Sequence, residues 1–124
     1  MMRGRVNSRL EAILHLSVFG PTGLQRGIEA LIDTGCTSSL VLPVDMIAAL
    51  GLIRRSGGTA LLADGSIRHF DTYGAEVEWN GMRKGVVVSA IGNEALVGMM
   101  LLADQRLVVD VIDGGQVEIQ QLRP

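Results

Sequence analysis

The stretch Ala30-Leu31-Ile32-Asp33-Thr34-Gly35-Cys36-Thr37-Ser38-Ser39-Leu40-Val41-Leu42-Pro43 carries the most informative pattern of the sequence. An apolar strand runs into Asp33, and an apolar stretch resumes after a glycine turn and three hydroxyl-bearing residues. A carboxylate placed directly after a buried strand is costly unless its charge has a partner. Glycine at position 35 would let the backbone approach that carboxylate or adopt a positive φ. Asp33 is therefore a candidate functional acid, although Asp33-Thr34-Gly35 alone also fits an acid that caps a tight turn.

The composition limits the possible functions. A chain of 124 residues predicts a single domain. Apolar residues make up 48% of it but aromatic residues only 3%, so the core must consist of aliphatic side chains and methionine. Because a small domain leaves much of its surface exposed, part of this apolar surplus is expected at a subunit interface. The net charge of −2 and the lack of a basic block predict no nucleic-acid partner.

Several features predict a cytoplasmic protein that does not bind membranes. Cys36 is the only cysteine, which excludes an intrachain disulfide and favours a reducing compartment. Glu11 and His15 interrupt the segment that a signal peptide would need. The longest uncharged apolar run, from Ala95 to Ala103, is far shorter than the roughly 20 residues that span a bilayer.

Alternating apolar and polar residues predict a series of short strands after a flexible N-terminal arm over residues 1–8. The domain over residues 9–124 contains predicted strands over Arg9–Val18, Gln25–Ile32, Thr59–Phe70 with a turn at Asp64-Gly65, Tyr73–Trp79, Met82–Ala90, Arg106–Ile112 and Gln116–Gln120. Short helices are predicted over Pro43–Gly51 and Met99–Gln105, with a loop over Gly51–Gly58. This succession predicts a mainly β, closed and barrel-like domain with one or two short helices.

Four features, in this order, resemble the single-lobed retropepsin-like aspartic proteases, including their bacterial and archaeal members. They are the strand into Asp33-Thr34-Gly35 followed by Ser39–Pro43, the hairpin at Ala63-Asp64-Gly65-Ser66, the segment Leu96-Val97-Gly98, and Met99–Leu102 leading into Leu107–Val111. The likeness covers the chain from Arg9 to Ile119. It implies the acid-protease fold of a single lobe, with Ala63, Asp64, Gly65 and Ser66 as a flap over an extended peptide substrate.

The resemblance also implies an aspartic endopeptidase, in which two carboxylates share one proton and activate a water molecule that attacks the peptide bond. This chain has one Asp-Thr-Gly, so the second acid would come from the Asp33 of the other subunit in a homodimer. Thr34 would interlock with its mate, and Gly35 would bring a backbone N–H to the carboxylates. Leu96, Val97 and Gly98 would support the loop, and no metal or other cofactor is implied.

Cys36 departs from the family pattern, because a small Ala, Ser or Thr usually follows the glycine. A thiol donates a weaker hydrogen bond than a hydroxyl, so activity is expected to extend to milder acidity. Cys36 could instead be a nucleophile with His15 or His69 as its base.

Serine and metal chemistry find little support in the sequence. Ser38 and Ser39 lack the Gly-x-Ser-x-Gly signature of serine hydrolases, and no His/Cys cluster has metal-ligand spacing. A non-catalytic module for dimerisation or peptide binding is the main competing hypothesis, since a fold does not determine a function.

Overall fold

The computed structural model describes residues 1–123, which form ten strands and one helix. The strands are β1 (Met2–Val6), β2 (Ala12–Phe19), β3 (Gln25–Ile32), β4 (Leu40–Val41), β5 (Ile53–Leu61), β6 (Ile67–Trp79), β7 (Met82–Ser89), β8 (Leu96–Val97), β9 (Gln105–Val109) and β10 (Gln116–Gln121). The helix α1 spans Val44–Leu50. In this part of the chain no helix is both long and apolar enough to cross a membrane.

All strands belong to one sheet in the order β5-β6-β7-β4-β8-β3-β2-β1-β10-β9. An additional pairing of β6 with β2, with Val18 opposite Val77, joins the sheet back on itself. The six strands that run from β6 to β2 in this order form a barrel, which confirms the predicted mainly β, barrel-like fold. Most pairs are antiparallel, but β8 runs parallel to β3 and β4 runs parallel to β7.

Apart from Trp79, the barrel interior is aliphatic, as the composition predicts. Along β2, Leu14, Leu16 and Val18 are buried while His15 between them is exposed, so the period of two read from the sequence is correct. The main core further includes Ala30, Leu40, Leu42, Leu50, Val77, Trp79, Val88, Val97, Leu101 and Ile119. This continuous apolar interior supplies the main driving force for folding.

Helix α1 confirms the first predicted helix. Pro43 stands at the position before its first residue, where a missing N–H is harmless, and Gly51 ends it with φ +64. Ile47 and Leu50 on its inner face are buried against the barrel. The helix therefore covers one end of the core just after the Asp33 loop.

The flexible arm predicted over residues 1–8 is wrong. Met2–Val6 form β1, which lies between β2 and β10. A side chain at Gly4 would come within 2.1 Å of the Ile13 carbonyl oxygen, so the two strands pack closely there. The partner β10 is near the other end of the chain, with Met2 opposite Ile119, and a local pattern cannot reveal such a contact.

Two further local predictions are wrong. The loop predicted over Gly51–Gly58 is mostly strand β5, whose residues are largely exposed on both faces and therefore show no apolar alternation. The helix predicted over Met99–Gln105 is a series of turns. Leu101 and Leu102 both donate to the Gly98 carbonyl, but the φ of +64 at Asp104 prevents helical propagation.

Candidate active site

Asp33 follows directly on β3, at the point where β8 runs alongside. The parallel register places Leu31 opposite Leu96 and Ile32 opposite Val97. The Asp33 N–H continues this ladder by donating to the Val97 carbonyl at 2.9 Å. Asp33 is consequently held by its backbone at the end of β3, a strand in which Ile28 and Ala30 are buried, and Asp33 itself is half-buried.

Two hydrogen bonds close the Asp33-Thr34-Gly35 turn. Gly35 N–H donates to Asp33 Oδ1 at 2.9 Å, and Cys36 N–H donates to the Asp33 carbonyl at 3.1 Å. A side chain at Gly35 would lie 3.3 Å from the same carboxylate oxygen. The φ of Gly35 lies outside the positive range, so the glycine is needed for close approach and not for a left-handed conformation. Thr34 and Gly35 are exposed at the surface.

Gly98 locks the second half of the loop in place. Its N–H donates to the Ser39 carbonyl at 2.9 Å, and the next residue, Met99, donates to the Cys36 carbonyl at 2.8 Å. A side chain at Gly98 would lie 2.0 Å from the Ser38 carbonyl oxygen, which leaves no room for one. The segment Leu96-Val97-Gly98 therefore contacts the Asp33 loop at both its beginning and its end.

A cleft of about 390 Å³ opens beside Asp33. Its apolar lining comes from Leu10, Ala12, Leu31, Ile32, Leu96 and Val109. Glu11 and Glu94 line it as well, so the cleft combines an apolar wall with three carboxylates. Sequence reasoning misses both glutamates, because no local pattern connects them with Asp33.

The two histidines lie elsewhere. His15 Nε2 is 3.5 Å from Glu29 Oε1, and both side chains are exposed on the outside of the sheet. His69 is on β6 opposite Thr59. Within residues 1–123, neither histidine lines the cleft with Asp33. That described region also holds no cluster of His, Cys, Asp and Glu suited to a metal ion.

The predicted flap residues form the exposed tip of the β5–β6 hairpin. Gly65 has φ +85 and its N–H donates to the Leu62 carbonyl at 3.0 Å. Asp64 keeps a negative φ, so this turn differs from the Asn80-Gly81 turn between β6 and β7, in which both residues have positive φ. Asp64 Oδ1 accepts from Ser66 Oγ at 2.6 Å and from Ser66 N–H at 2.9 Å. Both hydrogen bonds lower the pKa of the Asp64 carboxyl, and the bond from Ser66 Oγ has the larger effect.

The structure brings only part of the predicted site together. Asp33 is bonded to Val97, and Gly98 is bonded to Ser39 at the end of the same loop. Thr34 and Gly35 belong to the Asp33 turn, but neither forms a hydrogen bond with Leu96, Val97 or Gly98 in the described chain. The flap tip stands apart, since Ala63, Asp64, Gly65 and Ser66 are absent from the lining of the Asp33 cleft as far as the described residues show.

No protein-family model matches the chain, and no curated protein matches it either. Among solved structures, it is similar to the EIAV protease complexed with the inhibitor HBY-793, a retroviral protease. The superposition covers 76% of this chain and 86% of that one, with a TM-score of 0.56 and 18% sequence identity. This chain has a retropepsin-like fold.

At 18% identity the similarity establishes the fold of this retropepsin-like domain and nothing finer. The solved neighbour is retroviral, and the comparison gives no support to the bacterial or archaeal group expected from the sequence motifs.

Proposed function

We propose that this retropepsin-like domain is an aspartic endopeptidase that works as a homodimer, with Asp33 of each subunit forming the catalytic pair. The observation that carries the proposal is the Asp33 loop itself. Asp33 follows β3 and donates its backbone N–H to the Val97 carbonyl, while its carboxylate accepts from Gly35 N–H. The residue nevertheless remains half-exposed. Within the described chain Asp33 takes part in no ion pair, so the turn bond from Gly35 N–H is the one side-chain interaction of this carboxylate.

The need for a second copy follows from the single Asp-Thr-Gly. A two-fold axis beside the loop would place two identical acids face to face, because an isologous interface repeats the same surface. Apolar side chains surround the loop: Met99 and Met100, which follow the Gly98 contact, are 49% and 65% exposed, and Leu10 beside the cleft is 55% exposed. Burial of these side chains by the second subunit would stabilise the dimer.

In the proposed mechanism, two like charges a few Å apart cannot both ionise, so the pair retains one proton. The ionised Asp33 takes a proton from a water molecule, which then attacks the carbonyl carbon of the substrate. The protonated Asp33 donates to the carbonyl oxygen and stabilises the negative charge that develops there. The proton taken from the water then passes to the amide nitrogen as the C–N bond breaks, which releases the amine and carboxylic acid products. Titration belongs to the pair as a whole.

The β5–β6 hairpin is the proposed cover of the site. Leu61 and Ile67 stand opposite each other near its tip and are 77% and 65% exposed, which leaves apolar surface available for a bound peptide. The free edge of an extended hairpin can also pair with a peptide in strand conformation. Closure over Asp33 would exclude bulk water from the site and retain the one molecule that attacks the carbonyl carbon.

Two narrower predictions rest on sequence alone. Membership of the bacterial and archaeal group rests on the four motifs and their order. Location in the cytoplasm rests on the single cysteine, Cys36.

The test compares the natural protein with Asp33→Asn and, as a matched control, Asp113→Asn, which removes the same charge from an exposed turn. Each is incubated with a peptide library and a denatured protein from mildly acid to neutral pH, and cut sites are mapped by mass spectrometry. Asp33→Asn should lose about a hundredfold to ten-thousandfold in cleavage rate. The amide oxygen can still accept from Gly35 N–H, so the fold should persist.

Analytical ultracentrifugation supplies the second readout. A dimer is expected for all three proteins. A monomer at working concentrations, or equal cleavage by the Asp33 variant, would contradict the proposal. A dimer that binds peptides without cutting them would identify the chain as a binding module.

A further inference from the structure

The cleft beside Asp33 has an unusual combination of walls for a site that would hold a peptide side chain. Ala12, Leu31, Leu96 and Val109 give it an apolar side, whereas Glu11 and Glu94 add two carboxylates next to that of Asp33. In the described part of the chain, no Lys, Arg or His lines it. The cleft therefore has a negative potential over an apolar surface.

Glu11 is held in position and is not free to turn away. Asn7 Nδ2 donates to Glu11 Oε1 at 3.0 Å, and Glu11 N–H donates back to Asn7 Oδ1 at 2.9 Å. This reciprocal pair fixes the half-buried side chain at the cleft and leaves its second carboxylate oxygen available. Glu94 also lines the cleft, is exposed, and forms no ion pair within residues 1–123.

We infer that this cleft is a specificity pocket for a lysine or arginine side chain of the substrate. The inference rests on the proposed function, because Asp33 itself lines the cleft and the side chain that fills it must come from a residue adjacent to the hydrolysed bond. A basic side chain lays its methylene stem on apolar surface and presents its charge to carboxylates. A purely apolar side chain would displace water from the carboxylates of Glu11 and Glu94 without offering them hydrogen bonds in exchange, and an acidic side chain would be repelled by them.

Binding of matched peptides tests the pocket independently of turnover. Three extended seven-residue peptides differ only at the central position, which carries Lys, norleucine or Glu, and each has a reduced amide bond after that position so that it cannot be cut. Fluorescence anisotropy gives the Kd of each peptide for the full chain at pH 7. The Kd of the lysine peptide should be at least about fivefold lower than that of the norleucine peptide, and the glutamate peptide should bind most weakly.

Substitutions of the two glutamates test whether they cause the preference for lysine. Glu94→Gln and Glu11→Gln should each reduce the lysine preference by about twofold to fivefold, the range of partly exposed charge pairs. Glutamine at position 11 can still accept from Asn7, so folding should be maintained. Glu78→Gln, on the exposed face of β6, removes one charge away from the cleft and should change nothing. Higher salt should weaken the preference.

The outcomes separate this inference from the proposed function. Equal or tighter binding of norleucine, insensitivity to both glutamate changes, or no binding of any peptide would overturn the pocket assignment. Cleavage of the library at bonds flanked by apolar residues alone would overturn it too, while leaving the protease proposal intact. A lysine preference that depends on the glutamates, in a protein that never cleaves, would support the pocket and reject the protease.

Discussion

The Asp33 loop and the β5–β6 hairpin are held in opposite ways. The loop is bonded through its backbone to Leu96–Gly98, and Val97 and Gly98 beneath it are buried. The hairpin is held by its own ladder of strand pairs, with almost every residue from Ile53 to His69 exposed. β5 pairs with β6 alone among the described strands.

This contrast suits the two regions to different tasks, the positioning of an acid and the covering of a site. A catalytic acid must be placed within a fraction of an ångström of its partner, which requires a rigid support. A cover must open and close, which requires a segment with few buried contacts and a low free energy of local unfolding. The Asp33 loop satisfies the first requirement, and the hairpin satisfies the second.

A pair of glycine substitutions should give the largest contrast between the two regions. Gly98→Ala would place a methyl group 2.0 Å from the Ser38 carbonyl oxygen and 3.0 Å from that of Cys36, so the loop must shift. We expect a loss of about 3 kcal/mol in the free energy of unfolding, measured by urea denaturation, from overpacking against backbone. Any proteolytic activity should fall as well, because the displaced loop carries Asp33.

Gly57→Ala is the matched control in the hairpin. Its methyl group would meet only the end of Arg54 at 3.7 Å and the Phe70 carbonyl oxygen at 3.9 Å. The free energy of unfolding should stay within about 0.5 kcal/mol of the natural protein. Equal losses for the two substitutions would show that the loop is no more rigidly supported than the hairpin.

The hairpin turn should depend on pH only in strong acid. Hydrogen bonds from Ser66 Oγ and Ser66 N–H lower the pKa of the Asp64 carboxyl. These bonds therefore stabilise the turn fully above the ordinary Asp pKa of about 3.9, and their contribution is lost as the pH falls through the lower pKa of the folded state. The turn should therefore remain intact in mild acid. Titration of the Ser66 amide chemical shift by NMR should give a midpoint below about 3.9.

Asp64→Asn keeps the acceptor oxygen and should abolish this titration while preserving the turn. Asp64→Ala should remove both bonds and increase amide exchange at the tip, with little change in the core. A midpoint above the ordinary Asp value would mean that the turn does not stabilise the ionised form.

The smallest expected effect concerns Cys36, which is half-buried and follows the Asp33 turn. Cys36→Ser introduces a stronger donor that can stabilise the ionised form of the proposed acid pair. The acid limb of the pH–rate profile should move to lower pH by less than about one unit, with the free energy of unfolding nearly unchanged. Superimposable profiles for the two proteins would refute this role of Cys36.

The parts of the fold that follow from local pattern could be predicted. Strand β3 matches its expected bounds, Gln25–Ile32, because alternation and a following turn define both ends. The Asn80-Gly81 hairpin and the helix between Pro43 and Gly51 likewise depend on residues that are close in sequence. Strands β1 and β5 could not be found in this way, since the first is defined by a distant partner and the second has no buried face.

The same distinction between local pattern and distant contacts applies to the candidate site. Its acid turn can be recognised from sequence because a strand, an acid and a glycine are consecutive, whereas Leu96-Val97-Gly98 can be recognised only through the order of the motifs. The wall of the Asp33 cleft cannot be foreseen, because Glu11 and Glu94 come from loops far apart in the chain.

The sequence by itself determined that this is an aliphatic, strand-rich chain with a single Asp-Thr-Gly turn at Asp33, since periodicity, turn residues and composition are local properties. Only the tertiary structure decided that the sheet closes into a barrel, that Gly98 must lack a side chain, and that two glutamates stand beside Asp33. These facts depend on which distant segments share a strand edge or a cavity wall. Such contacts result from the packing of the whole core, which no short stretch of sequence encodes.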